Sequence, residues 1–221
     1  MNEISKVVAS SHLFGGLPKS QLQEVERIGV LKQYQRGETI FFEGDKANGF
    51  YMAVEGKVKI FKMSFEGKEQ ILHIFGPGEP FGEVPVFHHK HFPANAVTLA
   101  KSSLLFFPRH EFVNLVVENP SLALNMLAML SLRLRRFATQ IENLSLKEVP
   151  GRLASHLLYL AGEQGRDDMV ILDVPKGQLA SLLGTSPETL SRIFAKMTDE
   201  GLIRVEGKNI YLQDLEGLRE R

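Results

Sequence analysis

Between residues 31 and 108, short runs rich in apolar residues are separated by polar turns that glycines punctuate. The runs RGETIFFEGD, GFYMAVEGKVKIFKM, SFEGKEQILHIFGPGEPFGE and AVTLAKSSLLFFP are β-prone. Gly37, Gly44, Gly56, Gly67 and Gly78 recur about every 7 to 12 residues, the interval of strands in a sandwich or barrel. Val58-Lys59-Ile60-Phe61-Lys62-Met63 nearly alternates, and Phe65 to Glu69 supplies a hairpin turn before Gln70-Ile71-Leu72. The pattern predicts an antiparallel, jelly-roll-like β-roll.

After Pro108 the period becomes helical. RHEFVNLVVENP reads as a short helix stopped at Asn119-Pro120. From Ser121 to about Lys147 there is neither Gly nor Pro. Leu127, Leu130, Leu134, Phe137, Ile141 and Leu144 keep the 3,4,3,4,3 spacing of an a/d seam. Such a stripe can pack on the chain's own β domain. Sustained over roughly two and a half heptads, it favours a second copy of the same helix and a homodimer. Val149-Pro150-Gly151 is read as the break after it. GRLASHLLYLAGEQG then reads as an amphipathic helix, MVILDVP as a short strand, KGQLASLLG and SPETLSRIFAKMTDEG as two helices, and LIRVEGKNIYLQD as a hairpin. That is the order of a winged helix. The predicted fold is α+β: a β-roll with flanking helices over 1–118, a dimerisation helix over 119–147 and a winged helix-turn-helix over 148–221.

Composition narrows the chemistry. The 221 residues suit two compact units. With 43% hydrophobic and 24% charged residues, nothing suggests extended disorder. No apolar run approaches the roughly 18 residues of a membrane span, and MNEISKVVASSHLF carries polar residues where a signal peptide is apolar. A cytoplasmic protein without a membrane partner is expected. The absence of cysteine excludes disulfides and a thiolate-held iron–sulfur cluster. A formal net charge of zero means that any DNA contact must come from a local patch.

The sharpest motif runs from Gln178 to Arg192. Ala180 allows close helix approach, Gly184 permits a tight turn, and Leu179, Leu183, Leu190 and Ile193 can form the inner face. Ser186 can cap the second helix, and Pro187 suits its first turn. Glu188, Ser191 and Arg192 then lie near the exposed N-terminal end, where a recognition helix meets base edges. Arg can pair bidentately with guanine, Glu can accept from cytosine N4, and Ser can bond a base or a phosphate. Glu188 and Arg192, four apart, also satisfy a plain surface ion pair; the surrounding motif favours DNA reading. Thr189 and Lys208 complete the expected DNA-facing set, with Lys176, Lys196 and Lys208 as backbone contacts.

Several motifs in order make the sequence resemble the Crp/Fnr family of transcription regulators: RGETIFFEGD, Tyr51 with VEGKVKIFK, EGKEQILHIFGPGEPFGE, the Leu-rich helix, GRLASHLLYLA and LASLLGTSPETLSRIFAKM. The resemblance implies a dimer whose central helices couple an effector in the β-roll to the reading helices, with RNA polymerase as a partner. The E-x-x-S-R arrangement at Glu188, Ser191 and Arg192 resembles the Fnr-type helix, which implies a palindrome with TTG-type half-sites in double-stranded DNA. Pro187 stands where the Crp-type helix has Arg. Family members that bind cyclic AMP carry a Gly-Glu pair, then an Arg-Ser pair. Gly82 and Glu83 match the first; Pro93 and Ala94 replace the second, so the cyclic phosphate lacks its counter-charge and cyclic AMP is not the expected effector. The effector pocket is assigned to Gly82, Glu83, Ala94 and Asn95.

Haem and a small organic ligand remain as effectors. His88, His89 and His91 crowd one loop, and His12 and His73 lie elsewhere; each imidazole is a haem-ligand candidate, and each also suits a polar surface. His12 in SSHLF resembles a segment of denitrification regulators suspected of using haem. Two further readings compete. A cupin-like metal enzyme could use His89-Lys90-His91, but no carboxylate follows at the needed spacing, and no nucleophile elbow, P-loop or dinucleotide fingerprint occurs, so no enzyme activity is expected. A ligand-binding module could use its helix-turn-helix as a protein interface.

Overall fold

The computed structural model describes residues 3–83 and 91–221. The alternating first half forms strands β1 (Val30–Tyr34), β2 (Thr39–Phe41), β3 (Gly49–Glu55), β4 (Val58–Met63), β5 (Glu69–Phe75), β6 (Pro80–Phe81), β7 (Asn95–Thr98) and β8 (Ser102–Pro108). They pair antiparallel in two sheets, ordered β1-β8-β3-β6 and β2-β7-β4-β5. The expected hairpin joins β4 to β5 in the register Val58↔Phe75 to Met63↔Glu69. All five turn glycines have positive φ. At Gly56 a Cβ would also lie 2.2 Å from the Ser102 hydroxyl, so only glycine fits.

Phe41, Tyr51, Val58, Phe75, Phe81, Phe92 and Leu104 fill the interior of the roll. A second core, with Phe14, Phe50, Met52, Phe107 and Phe112, involves α1 (Glu3–Ser10), α2 (Lys19–Ile28) and α3 (Arg109–Glu118). Strand β3 contributes to both cores, and Gly49 to Val54 are all buried. That is why GFYMAV reads as a continuous apolar run rather than an alternation.

Helix α4 (Pro120–Leu146) is as long as expected. Its Leu122, Met126 and Met129 are buried at 4,3 spacing, while Asn125 Nδ2 donates to the carbonyls of Leu13 and Gly15, 3.2 Å each. The chain divides into two compact units inside this helix, Met1–Leu134 and Arg135–Arg221, where the sequence suggested a boundary after it. The helical break is at Lys147-Glu148, and Pro150 and Gly151 lie in the first turn of α5 (Val149–Gln164), where the missing proline N–H costs no helical bond. Gly151 is buried against the Arg221 carbonyl, 2.3 Å from where a Cβ would stand. The glycine therefore serves close packing rather than chain breaking.

The second unit continues with β9 (Met169–Ile171), α6 (Lys176–Leu182), α7 (Pro187–Asp199), β10 (Ile203–Glu206), β11 (Asn209–Leu212) and α8 (Leu215–Arg219). The wing has three strands, β10-β11-β9. Its core includes Leu153, Leu157, Leu179, Ala180, Leu190, Phe194, Ile203 and Ile210. Among the described residues no single helix is long and apolar enough to cross a membrane.

Candidate nucleic-acid interface and sensor site

The turn between α6 and α7 is built by local chemistry. Gly184 adopts φ +66°, which a side chain resists. Ser186 caps α7 by accepting from the Thr189 N–H at 3.2 Å, and Pro187 opens the first turn. Leu179, Leu183, Leu190 and Ile193 face inward, as their spacing predicts. Glu188, Ser191 and Arg192 are exposed on the opposite side. The Glu188 carboxyl is held below the usual range by its own backbone N–H, then the Ser186 hydroxyl, with the charge of Arg192 adding to both, so it is an acceptor at neutral pH. Arg192 Nη2 donates to Thr189 Oγ1 at 3.2 Å, and the Ser186 hydroxyl donates to the same oxygen at 3.2 Å. Lys208 is exposed between β10 and β11. The surface thus offers an acceptor, a hydroxyl and a planar cation side by side, the donor and acceptor types that base edges in a major groove match.

Sequence reasoning missed Arg152. Its Nε donates to the Lys147 carbonyl at 3.1 Å and its Nη1 to the Leu183 carbonyl at 2.6 Å. One guanidinium therefore satisfies backbone groups at the C-terminal ends of α4 and α6, where a cation is favoured. A cation one turn into a helix, just after a helical break, was the available signal.

On α4, the expected seam is largely solvent-facing: Leu127, Leu134, Phe137, Ile141 and Leu144 are exposed and Leu130 is partly so. The buried stripe is a different one, that of Leu122, Met126 and Met129, of which Leu122 and Met126 join the second core.

In the sensor unit, Glu83 is 7% exposed and forms an ion pair with Arg133, which also donates to the Pro80 carbonyl and lies 5.1 Å over the Phe75 ring. At Gly82 (φ +72°) a Cβ would come within 3.1 Å of Phe92 and 3.3 Å of Phe41. Ala94 is buried. Asn95 accepts from the Glu43 N–H at 3.0 Å and donates to the Phe61 carbonyl at 3.4 Å, which ties β7 to its neighbours. His73 sits edge-on to Phe75, with Nε2 3.8 Å from Glu79. Burial pushes the Glu79 carboxyl up, but the bonds from His73 and the Gly76 N–H, with the charges of His73 and Arg133, outweigh it and leave it lowered. His12 and His91 are exposed; His88 and His89 lie outside the described residues. Among the described residues, no three His, Cys, Asp or Glu side chains are grouped to hold a metal ion.

Residues 31–119 match the cyclic nucleotide-binding domain, and residues 151–221 match the Crp-like helix-turn-helix domain. The CRP-like cAMP-activated global transcriptional regulator of Mycobacterium tuberculosis is 30% identical over 99% of each chain. The chain belongs to the Crp/Fnr family. The solved Thermus thermophilus catabolite activator protein is 31% identical, covers 95% of this chain and 97% of its own, and has a TM-score of 0.57. DNR from Pseudomonas aeruginosa is 34% identical over 97% of this chain and 96% of its own, with a TM-score of 0.51. This Crp/Fnr regulator is accordingly a DNA-binding transcription regulator with a cyclic nucleotide-binding-type domain, from a family whose members are dimeric.

Proposed function

We propose that this regulator binds, as a homodimer, a palindromic site with TTG-type half-sites, and that it acts there on RNA polymerase under control of an effector in the β-roll. The observation that carries the reading is the exposed row of Glu188, Ser191 and Arg192 on a helix whose inner face is fully committed to the core. Ser186 serves as the cap, Thr189 and Lys208 flank the reading surface, and the stripe from Leu127 to Leu144 pairs the two protomers. In a two-fold dimer the reading helices meet successive major grooves about 34 Å apart. No catalytic role is assigned to any residue.

The effector is assigned as something other than cyclic AMP. Pro93 and Ala94 offer neither a cation nor a hydroxyl to a cyclic phosphate, and the Glu83 carboxylate is engaged by Arg133. Haem responding to nitric oxide is the first candidate. His12 is the exposed imidazole on a loop bound to α4 through Asn125, so a ligand there would act on the helix directly.

Binding of duplex with an inverted TTG repeat, measured by fluorescence anisotropy, tests the first reading. Affinity should fall steeply with salt, and Arg192→Ala should cost roughly 1 to 3 kcal/mol and relax preference at one base pair. Salt-independent association would instead indicate a protein interface. For the effector, absorption spectra of haem-loaded protein should show a Soret band that shifts with nitric oxide and is lost in His12→Ala. A featureless spectrum overturns haem and leaves the DNA reading intact.

A further inference from the structure

The Thr189 hydroxyl lies at the centre of a three-residue chain on the exposed N-terminal end of α7. Its Oγ1 accepts from both the Ser186 hydroxyl and Arg192 Nη2, at 3.2 Å each, while its own N–H donates to Ser186 Oγ. The cap that fixes the start of the helix is thus wired through one oxygen to the guanidinium six residues further along. Arg carries several rotatable bonds, and ordering such a side chain on binding costs conformational entropy. A fixed acceptor one turn back restricts the guanidinium before DNA arrives. Because it occupies one Nη2 hydrogen, it leaves the remaining donors for bidentate contact.

We infer that Thr189 is a positioning residue for sequence reading: its hydroxyl holds Arg192 in the orientation that meets a base edge, and its contribution is to discrimination at the base pair read by Arg192. This rests on the proposed role of Arg192. It differs from the other use of an exposed threonine near DNA, a contact to phosphate, which positions the protein without carrying sequence information.

The test uses the full chain and a duplex library of inverted repeats with each half-site position randomised, from which a preference is measured at every base pair. Thr189→Val keeps the shape and the cap N–H but removes the acceptor; Thr189→Ser restores it. Thr189→Val should reduce preference by about 3- to 10-fold at the one position that Arg192→Ala also relaxes. The other positions and the salt dependence should stay unchanged, and Thr189→Ser should return the preference towards the parent value. A uniform loss of affinity over all sequences with a shallower salt slope would make Thr189 a phosphate contact and overturn the inference. So would an unchanged preference profile in Thr189→Val. If Arg192→Ala itself alters no position, the base-reading role of Arg192 fails, and the inference about Thr189 falls with it; the single-residue profiles tell the two failures apart.

Discussion

The two units hold their polar groups in opposite ways. In Arg135–Arg221 the side chains assigned to recognition are exposed and held by short-range bonds within one helix, Ser186 to Thr189 to Arg192. In Met1–Leu134 the one charge assigned to the effector pocket, Glu83, is buried and held by a long-range pair with Arg133, fifty residues away in sequence. A surface meant to meet many sequences needs groups ordered but accessible. A sensor needs charges whose rearrangement is costly enough to move a helix, and burial supplies that cost. Local wiring also survives changes elsewhere in the chain, whereas a pair that joins β-roll to α4 registers any change in either.

Changes to the seam should reach both units and have the largest effect. Leu134→Glu with Ile141→Glu places like charges where two apolar stripes are proposed to meet. Sedimentation should report a monomer, and DNA affinity should fall by at least about 100-fold once two half-sites are no longer bound together. A dimer that survives these charges would separate oligomerisation from α4 altogether.

Arg133→Ala should act on the sensor alone. It leaves Glu83 buried without its partner and should destabilise that unit by about 3 kcal/mol, read as an earlier thermal transition. The double change Glu83→Gln, Arg133→Met should recover much of the loss. Equal destabilisation of the reading unit would contradict the local character described above.

Acid should separate the units by pH. Burial lowers His156 in α5 to about 4, against a partial rise from Asp173, so it is neutral in the fold and protonates more readily when unfolded. The unfolded chain therefore binds more protons between pH 6.5 and 4, and the reading unit loses stability as pH falls through that window, up to about 3 kcal/mol. Above pH 6.5 the effect vanishes. Glu79 in the sensor is lowered too, but from the carboxylate range: its contribution is complete above that range and is lost only at a lower pH, as pH falls through the lowered folded value. Urea unfolding at pH 7 and pH 5 should show the loss in the reading unit first, and His156→Asn should abolish that difference. The smallest effect belongs to Gly184→Ala, about 1 kcal/mol from forcing a Cβ into φ +66°, visible as a slightly lower midpoint and weaker DNA binding.

The legible parts of the sequence were those where local chemistry decides. Turn glycines, the a/d stripe, the Ser186-Pro187 start of α7 and the inward leucines were all readable because turn type, helical period and capping act within a few residues. The roles of Arg133 and Arg152 were not, because each depends on partners distant in sequence, and an arginine in an amphipathic helix carries no local mark of what it will reach. Pro150-Gly151 misled for a related reason. The pair has the composition of a break, yet proline is accommodated in a first turn and the glycine answers to the chain at Arg221. The backbone bonds that Asn95 makes to Glu43 and Phe61 were not legible either, since both partners are distant in sequence.

Arg152 bridges the carbonyls of Lys147 and Leu183 with two donors of one flat, rigid guanidinium. The last turn of the long helix and the turn of the reading motif are therefore fastened by one bolt with two threads, so the two points cannot part without breaking a bond to the same rigid group. A twist delivered to the last turn of α4 arrives at Leu183, three residues before the cap at Ser186, without slack at that joint.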